Sequence, residues 1–386
     1  MKTLNVGLIG YKFMGKAHSN AYARLPMFFD LSVGLNRKAI CGRDGEWLKR
    51  AADKFGWEDC ETDWKKLVSR PDIDMVDITS PSNTHKEIAI AAAAEGKHVF
   101  CEKPLALNLA DARAMKEAAD KAGVKAQIGF NYRFAPAVQL AKQLIDEGKI
   151  GTIRHIRASY LQDFIIDPDF PLVWRLQKDI CGSGSLGDLG AHFIDLARFF
   201  AGDFRSVMGM QKTFIEERPL ADSMQGLSAS AGSGGPMGKV DVDDGTTFIA
   251  EFENGAMGVF EATRFAQGHK NDLSIEVNGD KGSFKFSFER MNELQYYSAD
   301  DEGGLQGFRL IQASEGGHPY MQAWWPTGHV IGYEHTFVHE LYEFVESIAN
   351  DRPTSPCFGD GVECSRVIEA VELSAQRKAL VEIKSL

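Results

Sequence analysis

The chain has 386 residues, of which 44% are hydrophobic and 25% are charged, and these proportions exclude a disordered, collagen-like or coiled-coil protein. Lys and Arg number 43 against 54 Asp and Glu, a net charge of -11, and no basic cluster marks a nucleic-acid site. No apolar run reaches the roughly 18 residues of a membrane span, and the first residues do not resemble a signal peptide. We therefore expect a cytoplasmic protein that binds neither nucleic acid nor membrane.

Six scattered cysteines form no C-x-x-C pair and no zinc-finger spacing. This distribution predicts reduced thiols and no metal site.

Short apolar strands alternate with amphipathic helices over the first 130 residues. The strands are predicted at residues 4–9, 39–41, 75–78, 98–101 and 126–129, and helices follow the first four, among them 46–55, 85–95 and 109–122. This alternation is typical of a parallel sheet with helices on both faces. Residues 1–130 are therefore predicted to form a doubly wound, Rossmann-type α/β domain.

The pattern changes after a helix at residues 135–147. Longer segments of alternating polarity are predicted to be strands, at 153–162, 206–214, 246–253, 256–265, 273–277 and 283–288. They predict an α+β domain over residues 131–386, built on a large, mostly antiparallel sheet with one open face and closed by helices at 333–350 and 361–379. The glycine-rich stretch 228–238 is predicted to be an exposed loop. A second copy that buries the open face would make the protein a homodimer or homotetramer.

The turn after the first strand indicates a dinucleotide site. In Gly10-Tyr11-Lys12-Phe13-Met14-Gly15, the outer glycines fit the G-x-G-x-x-G fingerprint, but Lys12 stands where the middle glycine is expected. The Lys12 ammonium could reach a phosphate, or the residue could be an ordinary surface lysine. We expect Gly10, Lys12, Phe13 and Met14 to bind the cofactor.

The end of the second strand bears on the choice of cofactor. It reads Gly42-Arg43-Asp44, and an arginine next to a small residue favours NADP over NAD because its guanidinium can bind the 2'-phosphate. Asp44 keeps NAD open, since an acidic residue there can bind the ribose hydroxyls. NAD(P) is the expected cofactor, with Gly42 and Arg43 among its ligands.

Two further segments contain candidate functional residues. Glu102-Lys103-Pro104 follows a strand at the sheet edge where doubly wound folds bind ligands, and a cis peptide before the proline is one hypothesis for how Lys103 is aimed. In the second segment, Asp188 and His192 are four apart on a helix that continues to Asp195. Capping by Asp188 and simple packing of His192 are the alternatives, and two or three ligands on one helix are weak support for a metal.

Taken together, these segments resemble the glucose–fructose oxidoreductase, inositol dehydrogenase and MocA (Gfo/Idh/MocA) family. Five motifs in family order carry the resemblance: Phe13-Met14-Gly15-Lys16-Ala17-His18, Ser80-Pro81-Ser82-Asn83-Thr84-His85, Glu102-Lys103-Pro104, Asn131-Tyr132-Arg133-Phe134 and Asp188-x-x-x-His192. The segments at 160–163, 174–178, 217–220 and 240–244 are similar to the branch of levoglucosan dehydrogenase-like sugar dehydrogenases.

The resemblance implies a catalytic trio of Lys103, Asp188 and His192. His192 would take the proton of a substrate hydroxyl, since a histidine with an ordinary pKa of about 6.5 suits that transfer at neutral pH. Lys103 would stabilise the developing alkoxide, and Asp188 would bind a substrate hydroxyl or hold the imidazole.

The same resemblance assigns the remaining site residues. Those expected beside the cofactor are Ser80, Pro81, Asn83, His85, Glu102, Lys103, Asn131 and Arg133, although Asn83 and His85 could simply cap a helix. Those expected at the substrate are Lys103, Tyr132, Gln162, Asp163, Trp174, Arg175, Asp188 and His192. Trp174 could stack on a sugar ring or belong to the core.

The expected activity is the reversible oxidation of a ring hydroxyl of a sugar, anhydrosugar, glycoside or cyclitol by hydride transfer to NAD(P). The alternative is a glycosidase of the same family that uses a retained NAD for transient oxidation and elimination. A non-catalytic sensor is a third reading, but the presence of all three catalytic residue types disfavours it. Release of reduced cofactor in step with product would separate the first two activities.

Overall fold

The computed structural model describes residues 2–220 and 235–386, together with the backbone of 223–225 and 228–230. In this part of the chain, no helix combines the length and apolar character needed to cross a membrane. The chain divides into two compact units, which we call unit 1 (Met1–Asn131 and Tyr333–Ser365) and unit 2 (Tyr132–Gly332 and Arg366–Leu386).

The first 130 residues form the predicted parallel sheet. Its strands are β1 (Thr3–Ile9), β2 (Gly34–Cys41), β3 (Asp59–Glu61), β4 (Met75–Ile78), β5 (His98–Glu102) and β6 (Ala126–Gly129). The helices between them are α1 (Phe13–Phe28), α2 (Gly45–Phe55), α3 (Trp64–Val68), α4 (His85–Ala94) and α5 (Leu109–Ala122). The strand order β3-β2-β1-β4-β5-β6, with every neighbouring pair parallel, confirms the Rossmann-type fold.

Local sequence signals account for several boundaries in this sheet. The side chain of Asn108 caps α5 by accepting a hydrogen bond from the Asp111 amide, and Gly123 ends the helix in the left-handed conformation. The strands β4 and β6 are buried along their whole length, which is why they read as continuous apolar runs.

The next part of the chain alternates helices with long strands. The helices are α6 (Pro136–Asp146), α7 (Lys178–Cys181) and α8 (Ala191–Ala201), and a π-helical turn, Leu186–Gly190, leads directly into α8. The strands are β7 (Ile153–Leu161), β8 (Phe204–Lys212), β9 (Glu217–Pro219), β10 (Ser223–Gln225), β11 (Ser228–Ser230), β12 (Met237–Lys239), β13 (Gly245–Phe252), β14 (Met257–Thr263), β15 (Asp272–Gly279), β16 (Gly282–Ser287), β17 (Glu293–Ser298) and β18 (Arg309–Gln312). The chain ends with α9 (Tyr333–Ala349), α10 (Phe358–Arg377) and β19 (Val381–Glu382).

Nine of these strands form the large sheet of unit 2. Their order is β18-β17-β16-β15-β7-β14-β13-β8-β19, and β7 with β14 is the one parallel pair in it. The buried face carries aromatic side chains, and Phe193 of α8 stacks on Phe260 at a centroid distance of 5.6 Å. Along β13 and β14, buried residues alternate with exposed or half-buried residues that lie on the opposite face of the sheet. The predicted open-faced, mostly antiparallel sheet is therefore confirmed.

Three features differ from the sequence prediction. Residues 333–365, predicted to belong to the second domain, group with unit 1 because α9 packs on α1. The loop prediction for 228–238 is wrong in part, since β11 pairs with β10 and β12 pairs with β9, while 231–234 lie outside the described residues. The short β3 and the edge strands β17 and β18 were not predicted.

Candidate functional site

The glycine turn at the end of β1 has the geometry of a phosphate-binding turn. Gly10 adopts φ +111°, and its amide donates to the Cys41 carbonyl at 2.9 Å. A Cβ on Gly15 would collide with the Gly10 carbonyl, so both glycines are required sterically. The N-terminus of α1 has no side-chain cap and no acidic residue in its first turn, and Lys12 is exposed beside it. These residues fit an anionic pyrophosphate.

The end of β2 lies next to this turn. A Cβ on Gly42 would collide with the Tyr11 ring, which therefore needs a glycine below it. Arg43 is exposed, whereas Oδ1 of Asp44 accepts hydrogen bonds from the Glu46 and Trp47 amides, both at 3.2 Å, and so caps α2. Asp44, the residue that could bind the ribose hydroxyls, therefore also has a structural role as the cap of α2.

The turn after β4 contains both exposed and buried residues. Pro81 and Asn83 are exposed at the sheet edge, and the Ser80 and Thr84 hydroxyls lie 2.6 Å apart. His85 is buried, and its two ring nitrogens each lie 2.9 Å from a backbone carbonyl oxygen, one of Ser80 and one of Pro104. This imidazole joins the ends of β4 and β5, and its contact with the cofactor stays a prediction.

Two other predicted cofactor ligands are also engaged inside unit 1. The Asn131 side chain is 3% exposed and donates through Nδ2 to Thr336 Oγ1 at 2.8 Å. Glu102 is 5% exposed; its Oε1 lies 3.0 Å from His18 Nε2, and its Oε2 accepts from the Lys103 amide at 3.1 Å. The polar atoms of Asn131 and Glu102 thus stabilise the packing of unit 1 around the ends of β5 and β6. Lys103 itself is partly exposed, and the peptide bond between it and Pro104 is cis.

In unit 2, His192 is fixed by a stack of three rings. The Tyr132 ring lies between Phe288, at a centroid distance of 4.0 Å, and the His192 imidazole, at 4.2 Å with an interplanar angle of 17°. The Tyr132 hydroxyl lies 2.7 Å from that of Tyr160. His192 is 5% exposed, so the stack sets the plane of a nearly buried imidazole.

Asp188 is held by two arginines. Its Oδ2 lies 2.8 Å from Nη2 of Arg264, whose side chain is 1% exposed, and 3.7 Å from Nε of Arg175. The Arg175 guanidinium also lies over the Trp174 ring, 4.2 Å from its centroid. Burial lowers the pKa of Arg175, and the charge of Asp188 opposes that shift. The two cations favour the ionised form of Asp188.

The helix around Asp188 differs from the predicted one. Asp188 lies in the π-helical turn and His192 in α8, so the regular i, i+4 spacing of one α-helix does not apply. Asp195 binds Arg133 through two short hydrogen bonds of 2.7 and 2.5 Å, and both side chains are buried. The Arg133 guanidinium anchors α8 within unit 2, and its contact with the cofactor stays a prediction.

A buried carboxylate fixes the start of the π-helical turn. Asp243 accepts from the amides of Gly184 and Leu186, both at 2.9 Å, and from the Ser185 hydroxyl at 2.5 Å. A Cβ on Gly184 would collide with the Asp243 carbonyl, which explains one glycine of this segment.

Polar residues predicted for the substrate lie at the end of β7. Gln162 donates to Asn271 Oδ1 at 2.8 Å, and the Tyr160 hydroxyl donates to the same oxygen at 2.6 Å. Asp163 binds Lys270 Nζ at 2.6 Å and the Gly268 amide at 3.1 Å, and these bonds lower the pKa of its carboxyl group. A single oxygen of Asp163, Oδ2, therefore binds both Gly268 and Lys270 and joins the end of β7 to the loop that contains them.

Sequence reasoning missed three residues of this region, Arg264, Asn271 and Asp243. The signal that could have found Arg264 is the pairing of two strands. The strands β7 and β14 are parallel neighbours, and Leu161 pairs with Thr263. Gln162 and Arg264 consequently follow the carboxyl ends of two neighbouring parallel strands, which is where ligand sites form in such sheets. Nothing in the spacing of the sequence indicates that these two strands are neighbours.

Comparison with known proteins agrees with this architecture. Residues 4–130 match the family model "Oxidoreductase family, NAD-binding Rossmann fold", and residues 138–285 match the GFO/IDH/MocA C-terminal domain. Levoglucosan dehydrogenase of Pseudarthrobacter phenanthrenivorans is 44% identical over 389 residues, which cover 100% of both chains. The chain belongs to the Gfo/Idh/MocA family of oxidoreductases.

Solved structures extend the similarity to the whole fold. An oxidoreductase domain protein from Kribbella flavida has a TM-score of 0.94 at 49% identity, covering 99% of this chain and 100% of that one. A levoglucosan dehydrogenase in complex with NADH and levoglucosan has a TM-score of 0.93 at 43% identity, with coverage of 99% and 100%. The predicted family and its levoglucosan dehydrogenase-like branch are thereby confirmed, and this Gfo/Idh/MocA member is an NAD-binding oxidoreductase.

Proposed function

We propose that the protein is a sugar dehydrogenase that oxidises a ring hydroxyl to the ketone, with an anhydrosugar of the levoglucosan type as its first candidate substrate. The observation that carries the proposal is the fixed His192 imidazole, stacked on Tyr132 in the same unit as an Asp188 carboxylate held by Arg264. The 44% identical levoglucosan dehydrogenase supports the substrate class.

The residues have separate roles in this proposal. The nicotinamide coenzyme accepts the hydride when bound. His192 takes the proton of the substrate hydroxyl, and the Lys103 ammonium stabilises the alkoxide charge that develops as the proton leaves. Asp188, kept ionised by Arg264 and Arg175, accepts a hydrogen bond from a neighbouring hydroxyl and so orients the ring. Gln162, Asp163, Trp174 and Tyr132 supply further contacts to the sugar.

We propose NAD as the coenzyme. Gly10, Lys12, Phe13 and Met14 would bind its pyrophosphate, and Ser80, Pro81 and Asn83 would contact its nicotinamide half. The exposed Arg43 favoured NADP on sequence grounds, but three levoglucosan dehydrogenase structures of 43% identity are complexes with NADH. His85, Glu102 and Asn131 hold neighbouring parts of unit 1 in place through their hydrogen bonds.

We propose that a second copy of the chain covers the outer face of the large sheet. Met208, Ile249 and Val259 stand side by side on β8, β13 and β14, and their side chains are 46%, 51% and 42% exposed. Met210 and Met257 extend this patch, at 72% and 60% exposed. A row of large apolar side chains in solvent indicates a covered surface. Isologous pairing of this face gives a homodimer, and repeating it with a second surface gives a homotetramer.

The deciding experiment is absorbance at 340 nm with NAD and with NADP, each against levoglucosan, glucose, xylose, the inositols and simple glycosides. We expect reduction of NAD with levoglucosan and a subset of related sugars, in step with ketone formation. Coenzyme binding without reduction by any of these sugars would contradict the proposal, and hydrolysis of aryl glycosides without release of reduced coenzyme would replace it with a glycosidase.

A further inference from the structure

A buried polar cluster lies behind β5 in unit 1. It consists of Tyr22 and His18 on α1, Asp77 on β4, Glu102 at the end of β5 and Glu340 on α9. His18 and Asp77 are both 0% exposed, as is Glu340, so the cluster is sealed from solvent. None of these residues has a role in the chemistry proposed above. Placing so many ionisable groups in a hydrophobic interior is costly, and such a cluster calls for a functional explanation.

The hydrogen bonds of the cluster form a chain that ends at Lys103. The Tyr22 hydroxyl donates to Asp77 Oδ2 at 2.8 Å, and His18 Nδ1 lies 2.8 Å from the same oxygen. On its other side, His18 Nε2 lies 3.0 Å from Glu102 Oε1. The second oxygen of Glu102 accepts the amide hydrogen of Lys103 at 3.1 Å. A continuous chain of contacts thus joins a helix in the core to the backbone of Lys103.

We propose that His18 is a positioning residue for Lys103, acting by holding the Glu102 carboxylate against the Lys103 amide. The inference rests on the role proposed above for Lys103. Because each ring nitrogen of His18 faces a carboxylate oxygen, the imidazole is doubly protonated and donates to both. The Phe100 and Phe337 rings enclose it, with centroids at 5.4 and 5.6 Å, and so restrict its rotation.

The electrostatics agree with this geometry. Burial alone lowers the pKa of His18, but the charge of Asp77 and the hydrogen bonds to Asp77 and Glu102 outweigh it, so the pKa lies well above its usual value. Besides Asp77 and Glu102, the titratable groups near His18 are Tyr22 and Glu340 of the cluster, together with His85 on α4 and Cys101 on β5. Burial raises the pKa of Glu340 well above that of an ordinary carboxyl group, which favours its protonated, neutral form.

The oxygens of Glu102 and Glu340 and a His18 nitrogen lie close enough together to suggest a cation site. The protonated imidazole argues against it. With Nδ1 directed at Asp77 and Nε2 at Glu102, both nitrogens carry hydrogens, and neither offers the lone pair that a metal needs.

The test compares two substitutions that each keep one of the two His18 contacts. Gln places its amide nitrogen near Nε2 and preserves the bond to Glu102, whereas Asn places its amide nitrogen near Nδ1 and preserves only the bond to Asp77. We expect kcat for the sugar to fall at least 10-fold in His18→Asn and less than 3-fold in His18→Gln, with the Kd for NADH unchanged in both. Glu340→Gln, which exchanges one neutral group of the cluster for another, is the matched control and should retain kcat within 2-fold.

Amide hydrogen exchange gives a readout that does not depend on turnover. The peptide containing Glu102-Lys103-Pro104 should exchange at least 10-fold faster in His18→Asn than in the wild type, while peptides from β16 and β17 remain unchanged. If both His18 variants fail to fold, Glu102→Gln takes their place, because it keeps the size of the side chain and weakens its bond to His18. The same loss of kcat and faster exchange are then expected.

The outcomes separate this inference from the proposed function. Equal kcat in the Asn and Gln variants, or unchanged exchange at Lys103, would overturn the positioning role even if the wild type is an active dehydrogenase. A wild type that oxidises no sugar, with faster exchange at Lys103 in His18→Asn, would overturn the dehydrogenase and leave the link between His18 and Lys103 intact.

Discussion

Arg264 and Asp188 form an ion pair in which the guanidinium is buried and the carboxylate reaches the surface of unit 2. The side chain of Arg264 is 1% exposed and that of Asp188 is 26% exposed, with 2.8 Å between Nη2 and Oδ2. Arg264 also directs Nη1 and Nη2 toward the carbonyls of Arg175 and Gly184, both at 3.4 Å. It is therefore built into the wall of the site and presents Asp188 in one orientation.

This arrangement predicts that Arg264→Met impairs catalysis through Asp188. Removing one partner of a buried ion pair costs about 3 kcal/mol. Without Arg264, Asp188 would keep the longer contact to Arg175 at 3.7 Å and lose the bond that fixes its orientation. We expect kcat/KM for the sugar to fall 10- to 100-fold and the Tm to drop. A double-mutant cycle with Asp188→Asn should show that the double variant is no worse than the poorer single one. Additive losses would contradict the coupling, and Arg309→Ala, which breaks an exposed ion pair with Asp301, is the control.

The candidate site residues of unit 1 and those of unit 2 differ in how far the sequence predicts them. The turns at Gly10–Gly15 and at Lys103 lie at the ends of parallel strands, whose apolar runs and helix caps can be read locally. Arg264 and Asn271 come together with Gln162 only because β7 lies between β14 and β15 in the large sheet. That pairing depends on long-range register, which local patterns do not encode.

Buried polar residues are a second limit of sequence reasoning. Glu102, His85 and Asn131 belong to recognisable motifs and were predicted to touch the cofactor, yet each forms hydrogen bonds inside unit 1. His18 belongs to the first motif and was assigned no role. A motif identifies which residues matter, but only the packing of α1 and α9 around β5 shows which of them face inward.

Lys103 should be required for turnover and dispensable for coenzyme binding. In Lys103→Ala, the charge that stabilises the alkoxide is lost, and we expect kcat to fall by about three orders of magnitude or more. The Kd for NADH, measured by fluorescence, should stay within 3-fold of the wild type. Lys86→Ala, which removes a partly exposed lysine paired with Asp111, is the control for loss of a lysine in unit 1. Unchanged turnover in Lys103→Ala would eliminate the proposed chemistry.

We expect Arg43 to determine how the protein discriminates between NADP and NAD. If its exposed guanidinium meets that phosphate, Arg43→Ala should lower kcat/KM for NADP at least 10-fold and leave the value for NAD within 2-fold. Steady-state kinetics with both coenzymes at a saturating sugar concentration measure the ratio. Arg50→Ala, on the exposed side of α2, should change neither value. An equal loss for both coenzymes would show that Arg43 does not discriminate between them.

Glu340 should make the protein less stable as the pH rises. Its carboxyl group is buried, neither oxygen has a hydrogen-bond partner among the described residues, and burial raises its pKa far above the ordinary value of 4.5. The folded state therefore keeps a proton that the unfolded state releases above about pH 4.5, and stability falls by about 1.4 kcal/mol per pH unit until the folded pKa is reached.

Glu340→Gln removes this linkage, because the amide is neutral in both states. The gain in stability over the wild type should be larger at pH 8 than at pH 5, as measured by urea unfolding at each pH. Glu334→Gln, on the exposed side of the same helix, should show no such trend. A gain that is constant across this range would mean that the buried carboxyl group is not the source of the pH dependence.

Ile249 lies at the centre of the exposed apolar patch, between Met208 on β8 and Val259 on β14. A charge at this position cannot be buried against a second copy without a large desolvation cost, so Ile249→Asp should dissociate the oligomer. Sedimentation at micromolar concentration should give two or four times 42.6 kDa for the wild type and half of the wild-type mass for the variant. Leu305→Asp changes an even more exposed side chain, 76% exposed, outside the strands of the sheet and should leave the mass unchanged. A wild-type mass of one chain would refute the pairing, and an oligomer that survives Ile249→Asp would place the interface on another surface.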